Sequence, residues 1–143
     1  MGDKVLLTGI SGWIAKHTTI ELLNSGYEVL GTVRNKNLID QTKETISKYA
    51  SIDKLSFVEL DLVKDDGWNE AANGCKYIFH IASPFPMKVS NNREILLPPA
   101  VDGTLRVLKA GVNAGVEQII KTSSIVAMFR KPNRSNPYTF GEN

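Results

Sequence analysis

The chain has 143 residues, with 17 Lys and Arg against 15 Asp and Glu, so its formal net charge is +2. This length predicts a single domain, and the near-neutral charge gives no reason to expect nucleic acid as a partner. No apolar run approaches the roughly 20 residues of a membrane span, so we expect no membrane partner. The first residues lack the pattern of a signal peptide. The single cysteine, Cys75, cannot form an internal disulfide, which favours a reducing, cytoplasmic location.

Strand-like and helical segments alternate along the chain. The hydrophobic pattern predicts strands over residues 5–8, 27–33, 55–60, 76–82 and 117–123. It predicts a first helix that has Ala15, Thr18 and Leu22 on one face and stops at Gly26, and further helices over residues 37–50, 66–73 and 99–114. In the last helix Pro99 is expected in the first turn. Its core-facing stripe is predicted to be Val101, Leu105, Leu108 and Val112.

This alternation predicts an α/β fold with a Rossmann-type doubly wound parallel sheet of strand order 3-2-1-4-5. Such sheets bind ligands beyond the carboxyl ends of strands 1 and 4, where the strand order reverses. We predict a dinucleotide-binding domain over residues 1–128. Residues 129–143, rich in Arg, Lys, Pro and Asn, are predicted to be a loop or tail.

A glycine-containing segment joins the first strand to the first helix. Gly9 permits a tight turn, Gly12 lets the backbone approach a pyrophosphate, and Ala15 keeps the helix close to the strand. The helix N-terminus then offers N–H groups and partial positive charge to the phosphates. A plain glycine turn is the alternative. The candidate cofactor-binding residues here are Gly9, Ser11, Gly12, Trp13 and Ile14.

Arg34 follows the second strand, at the position where NAD enzymes usually carry an acidic residue. Its guanidinium can clamp a ribose 2′-phosphate, so the sequence favours NADP(H) over NAD(H). The alternative is a solvated surface arginine.

Asp61 and Leu62 follow the third strand. The carboxylate could accept a hydrogen bond from the adenine amino group while the Leu62 backbone contacts the ring edge. A turn or helix-capping aspartate is an equally good interpretation.

The fourth strand ends at Ile81, Ala82 and Ser83, whose small polar or apolar side chains leave room for a nicotinamide ribose. His80, one residue earlier, is more typical of a packed core group than of a catalyst, and Cys75 of a small buried hydrophobe. No Cys, His and carboxylate set has metal-ligand spacing, so we expect no metal.

The fifth strand ends in a run of hydroxyl residues, Thr122, Ser123 and Ser124. Thr122 is assigned to the cofactor site. A hydroxyl here could donate to a substrate carbonyl oxygen as it becomes negative. Alternatively, the hydroxyls satisfy backbone groups at the strand end.

Together these segments resemble the extended short-chain dehydrogenase/reductase family, in the branch of dihydroflavonol reductases, cinnamoyl-CoA reductases and microbial NADPH-dependent aldehyde or ketone reductases. The resemblance covers nearly the whole chain and implies that Ser124 is the catalytic serine. The shared segments are Thr8-Gly9-x-x-Gly12-x-x-Ala15, Thr32-Val33-Arg34, Asp61-Leu62, His80-Ile81-Ala82-Ser83-Pro84, Pro99-Ala100-Val101-x-Gly103-Thr104 and Thr122-Ser123-Ser124.

One departure from that family concerns its catalytic Tyr-x-x-x-Lys pair. Tyr138 is the only tyrosine after Ser124, and the residue four positions later is Glu142. The chain therefore resembles the N-terminal part of a reductase, cut short before the catalytic helix. In the complete enzyme, hydride would pass between NADPH and a carbonyl carbon while the tyrosine supplies the proton. Without that tyrosine, we expect this chain alone to be inactive.

Two other functions remain open from the sequence. One is a non-catalytic dinucleotide-binding module, and the other is a fragment of an NAD-dependent sugar-nucleotide epimerase or dehydratase. We also expect self-association, because the fifth strand would be an uncovered sheet edge beside a helix that lacks its neighbour.

Overall fold

The structure, a computed structural model, describes residues 2–83 and 93–124, without the side chains of residues 93–99. The strands are β1 (Lys4–Thr8), β2 (Glu28–Val33), β3 (Leu55–Glu59), β4 (Tyr77–His80) and β5 (Gln118–Lys121). The helices are α1 (Trp13–Asn24), α2 (Ile39–Ser47), α3 (Trp68–Ala72) and α4 (Arg93–Ala114), with a 3-10 turn at Lys36–Leu38 before α2.

The five strands form one parallel sheet in the order β3-β2-β1-β4-β5. This confirms the predicted strand order. Because every pairing is parallel, the carboxyl ends of all five strands lie at the same edge of the sheet. The loops that follow the strands are thereby collected at that edge.

Helices cover both faces of the sheet. Val5, Leu6 and Leu7 of β1 are fully buried, although successive strand residues point to opposite faces. Val5 and Leu7 belong to the core under α1 and α2, whereas Leu6 belongs to the core under α3 and α4. The central strand is thus an uninterrupted apolar run because it has no solvent-facing side.

The predicted core stripe of α4 is wrong. Val101, Leu105 and Val112 are 48%, 44% and 76% exposed, and Leu108 is only half-buried. The buried face consists of Gly103, Val107, Ala110 and Gly111.

Small residues on α4 explain this difference, because they let the helix backbone approach its neighbours closely. A Cβ built on Gly103 would lie 2.8 Å from the Leu62 Cβ, and one on Gly111 would lie 2.6 Å from the Ile119 Cδ1. A prediction from hydrophobic periodicity favours large apolar side chains, so it assigned the Val and Leu stripe to the core in place of the face that carries the glycines.

The start of α4 and the end of α2 differ most from the predicted bounds. α4 begins at Arg93, so Pro99 lies within the helix and not in its first turn. The fixed φ of proline is helical, but a proline at this position lacks a backbone donor, and its ring crowds the carbonyl four residues earlier. α2 ends at Ser47, and Tyr49 beyond it is exposed. The predicted boundary at residue 128 and the tail at 129–143 lie outside the described residues. No helix within the described residues is both long and apolar enough to cross a membrane.

Candidate cofactor site

The candidate site lies at the carboxyl edge of the sheet, where β1 and β4 are neighbours. Thr8 at the end of β1 is in register with His80 at the end of β4. The structure brings the loops that carry all the predicted site residues to this edge. They are Gly9, Ser11, Gly12, Trp13, Ile14, Arg34, Asp61, Leu62, Ile81, Ala82, Ser83, Thr122 and Ser124.

Gly9 makes the tight turn after β1 in the left-handed region, with a φ of +71°. A Cβ at this position would lie 2.9 Å from the Ala82 Cβ. The Gly12 N–H donates to the Gly9 carbonyl over 2.9 Å and closes the turn. Glycine is therefore required at position 9 by both its backbone conformation and its contact with the β4 end.

The glycine turn is also tied to β2. The Gly9 N–H donates to the Thr32 Oγ1 over 3.0 Å, and the Ile10 N–H donates to the Thr32 carbonyl over 3.0 Å. Ile10 is fully buried and packs where Gly31 has no side chain. Sequence reasoning assigned no role to Thr32, although its position at the end of β2 in a shared segment was a signal.

The N-terminus of α1 is open to solvent. Its N-cap residue, Gly12, has extended backbone angles and provides no side-chain cap, and the first turn carries no acidic residue. Trp13 and Ile14 are 78% and 51% exposed. No side chain of the first turn therefore neutralises the partial positive charge of this helix end. Such a free helix N-terminus suits a pyrophosphate.

Arg34 is exposed directly after β2. The nearby carboxylate of Glu59, in register with Val33, pairs with the Lys36 ammonium at 3.7 Å. Within residues 2–83 and 93–124, no ion pair of Arg34 itself is formed. Its guanidinium can therefore bind an incoming phosphate without first breaking an ion pair with a carboxylate.

The loop after β3 is held by its own turn. One Asp61 carboxylate oxygen accepts a hydrogen bond from the Val63 N–H over 3.1 Å. This is the turn role that the sequence left open for Asp61. The Trp68 Nε1 donates to the Asp61 carbonyl over 3.3 Å and to the Lys64 carbonyl over 3.0 Å.

Helix α4 fixes the position of Leu62 in the same loop. The Arg106 Nη1 donates to the Leu62 carbonyl over 2.8 Å, and the Arg106 Nε pairs with Asp65. Gly103 lies against the Leu62 side chain, as described above. Sequence reasoning missed the roles of Arg106 and Gly103, because 40 or more residues separate each from its partner in the loop.

The end of β4 is held by the hydroxyl of Thr8. The Ile81 and Ala82 N–H groups donate to the Thr8 Oγ1 over 3.1 and 3.0 Å. Ile81 and Ala82 are half-buried, and Ser83 is exposed. This segment lies beside the Gly9 turn at the switch point.

His80 is a packed core histidine, 2% exposed. Its Nδ1 lies 2.9 Å from the Thr8 Oγ1, and its Nε2 lies 3.4 Å from the Thr104 Oγ1. Burial, followed by the like charge of Lys121, lowers the pKa of His80 to about 4. The imidazole is therefore neutral at physiological pH.

Cys75 is a buried thiol away from this edge. Its Sγ donates to the Ala71 carbonyl over 3.3 Å, and burial raises the pKa of the thiol. A protonated, enclosed thiol packs as a small hydrophobe. In the part of the chain that the structure describes, no group of three His, Cys, Asp or Glu residues could hold a metal ion.

The hydroxyl run after β5 starts beside the end of β4. The Thr122 N–H donates to the His80 carbonyl over 3.1 Å. Thr122 and Ser124 are exposed. The backbone at Thr122 is thus fixed to the strand that ends at the switch point, two residues before Ser124.

The sequence profile of the NAD dependent epimerase/dehydratase family matches residues 5–142. The chain belongs to this family. Among curated relatives, it is 37% identical over 134 residues to cinnamoyl-CoA reductase 1 of Petunia hybrida. The aligned segment covers 93% of this chain and 38% of the relative. It is 34% identical over 121 residues to dihydroflavonol 4-reductase of Hordeum vulgare. This second aligned segment covers 84% of the chain and 34% of the relative.

These relatives place this epimerase/dehydratase family member in the extended short-chain dehydrogenase/reductase branch, as the sequence predicted. Among solved structures, it is similar to yeast methylglyoxal/isovaleraldehyde reductase Gre2 complexed with NADPH, with a TM-score of 0.75 and 28% identity. That match covers 87% of this chain and 38% of the yeast chain. The chain thus spans a little over a third of the length of these relatives.

Proposed function

We propose that this chain is the NADP(H)-binding portion of a short-chain reductase whose substrate is an aldehyde or ketone. The observation that carries the proposal is the Gly9 turn, which leads into an uncapped α1 N-terminus near an exposed Arg34. A turn without a side chain, a positive helix end and a guanidinium together match a dinucleotide that carries an extra phosphate.

Each chemical group of the cofactor would be bound by a different loop at the carboxyl edge of the sheet. The α1 N-terminus at Gly12–Ile14 would hold the pyrophosphate, and Arg34 would hold the 2′-phosphate. The Asp61–Leu62 loop would border the adenine, and Ile81–Ser83 with Thr122 would border the nicotinamide ribose. When bound, NADPH supplies a hydride.

The NADP(H) assignment has support from two directions. Among the described residues Arg34 has no carboxylate partner, since Glu59 is paired with Lys36. The yeast reductase with similar structure was solved with NADPH. An acidic side chain that could bind a ribose diol would instead repel a phosphate.

In the substrate reaction, the role of this chain is to orient the carbonyl. The Ser124 hydroxyl would donate a hydrogen bond to the substrate oxygen and stabilise the negative charge that develops there. The family's proton-donating tyrosine and its lysine partner have no counterpart in these 143 residues. We therefore propose that the chain binds cofactor but does not turn over substrate by itself.

NADPH titration of the purified chain tests the cofactor proposal, with binding followed by calorimetry. The matched variant is Gly12→Val, whose branched side chain would occupy the pyrophosphate position. Gly12 has a φ of −72°, which any residue adopts, and a Cβ there would meet only the Gly9 carbonyl oxygen, at 3.2 Å. We therefore expect the variant to fold, and circular dichroism checks this. We expect saturable binding by the parent and none by Gly12→Val. Equal binding by both would refute the site, and no binding by a folded parent would refute the proposed function.

A further inference from the structure

The Thr8 hydroxyl sits among three potential hydrogen-bond partners. It accepts from the N–H groups of Ile81 and Ala82, and it lies 2.9 Å from the His80 Nδ1. A hydroxyl has two lone pairs and one proton. Since both lone pairs are used by the peptide N–H groups, the proton must go to the His80 Nδ1. That nitrogen is therefore an acceptor and carries no proton.

The other side of the imidazole agrees with this assignment. A neutral ring whose Nδ1 is bare carries its proton on Nε2, which faces the Thr104 Oγ1 at 3.4 Å. The Thr104 hydroxyl donates its own proton to the Ala100 carbonyl over 2.7 Å. Its oxygen is thus available to accept from the ring. The hydrogen bonds run in a single direction from the β4 end, through Thr8 and His80, to α4.

A protonated His80 does not fit this arrangement. An imidazolium would present an Nδ1–H to a hydroxyl whose lone pairs are already occupied, so the Thr8 oxygen would have to release Ile81 or Ala82. The charged side chain that acts on the ring is that of Lys121, which lies on β5 in register with His80. Its positive charge would repel an imidazolium. Burial and this neighbour both favour the neutral ring.

We propose that Thr8 and His80 are positioning residues, in which the Nε2–H tautomer of His80 keeps the Thr8 oxygen on the Ile81 and Ala82 peptides and so holds the β4 end against the glycine turn. Ala82 is the residue that Gly9 touches, and Thr8 directly precedes Gly9. If the Ile81–Ala82 backbone moved, the turn would lose its support on the β4 side. The role in cofactor binding rests on the proposed function, whereas the tautomer and the backbone restraint do not.

Nitrogen-15 NMR of the histidine ring in the 143-residue chain tests the tautomer directly. We expect a neutral His80 ring with its proton on Nε2 throughout pH 7 to 5. We also expect slow hydrogen exchange at the Ile81 and Ala82 amides, and faster exchange at both in Thr8→Val. A ring protonated on Nδ1, an imidazolium at pH 6, or unchanged amide exchange in a folded Thr8→Val would overturn the proposal.

NADPH affinity then tests the positioning role. We expect at least tenfold weaker binding in Thr8→Val and binding within threefold of the parent in Thr8→Ser, which restores the hydroxyl. The matched control is Thr42→Val, because Thr42 is equally buried and its hydroxyl donates to the Leu38 carbonyl four residues earlier, so that it makes no contact with the β4 end. Parent-like affinity in Thr8→Val would overturn the positioning role. A folded parent that binds no NADPH would instead refute the proposed function, and the ring and exchange measurements would still decide the tautomer and the restraint.

Discussion

Gly9 lies directly against Ala82, so that a methyl group on Gly9 would come within 2.9 Å of the Ala82 Cβ. This contact joins the turn after β1 to the end of β4. A side chain at position 9 would therefore displace Ala82.

Gly9→Ala should lower the free energy of unfolding by about 2–4 kcal/mol, from strain at positive φ and from overpacking against Ala82. Gly74→Ala is the matched control, because Gly74 has a φ of +72° but no atom lies within 4 Å of the position that a Cβ would take there. It should cost only the backbone strain, about 1–2 kcal/mol. Urea denaturation measures both, and equal losses would show that the Ala82 contact yields to a methyl group.

Arg34→Ala should reduce the affinity for NADPH while leaving that for NADH nearly unchanged. Loss of one charge-assisted phosphate contact costs about 1.5–3 kcal/mol, roughly tenfold or more in affinity. Lys48→Ala is the control, because Lys48 is an exposed cation directly after the C-terminal end of α2 and pairs with Glu44. Calorimetric titration with both cofactors decides. If the parent binds both equally, or the variant keeps its preference, the assignment of Arg34 is wrong.

The stability of the chain should depend on pH through His80. The pKa is about 4 in the folded protein and near 6.5 in the unfolded chain. Between these values the unfolded state binds more protons, so the free energy of unfolding falls as the pH falls. From pH 7 to 5 the loss amounts to about 2 kcal/mol. Below about pH 4 this group causes no further loss.

A His80→Gln variant should have a smaller loss of stability between pH 7 and 5 than the parent, measured by urea denaturation at each pH. His17→Gln is the control, since His17 is exposed on α1, and it should retain the parental pH dependence. A His80→Gln variant with the parental slope would mean that His80 titrates alike in both states.

The purified chain should show essentially no reduction of simple aldehydes with NADPH. General acid catalysis contributes about 10²–10⁴ in rate, and the tyrosine that would provide it is absent from these residues. Absorbance of NADPH over time measures the rate, with a no-protein sample as the baseline. Turnover above that baseline would contradict the prediction, and its loss in Tyr138→Phe would assign the proton donor to Tyr138.

We expect the chain to self-associate through α4 and the outer edge of β5. Val101, Leu105 and Val112 form an exposed apolar stripe on α4, and β5 has no strand on its outer side within the described residues. Such surfaces favour association. Light scattering over a concentration series should show growth in mass that Leu105→Lys reduces. Val63→Lys, at an exposed valine outside α4, should leave it unchanged. A stable monomer at high concentration would contradict the prediction.

The alternation of apolar strands and helices was enough to predict the parallel sheet and its strand order. Right-handed crossovers and short connections leave few other topologies for this pattern. The pattern also located the glycine turn, Arg34 and the hydroxyl run, because each follows a strand directly. These features depend on residues that are adjacent in the chain, and such local patterns can be recognised in the sequence.

What only the tertiary structure decided depends on contacts between distant segments. The buried face of α4 lies on Gly103 and Gly111 because Leu62 and Ile119 approach there, and no local pattern records such an approach. Asp61 is a turn residue because its carboxylate meets the Val63 N–H. The protonation state of His80 follows from hydroxyls at positions 8 and 104. A hydrogen atom's position is determined by its partners, and folding alone brings those partners together.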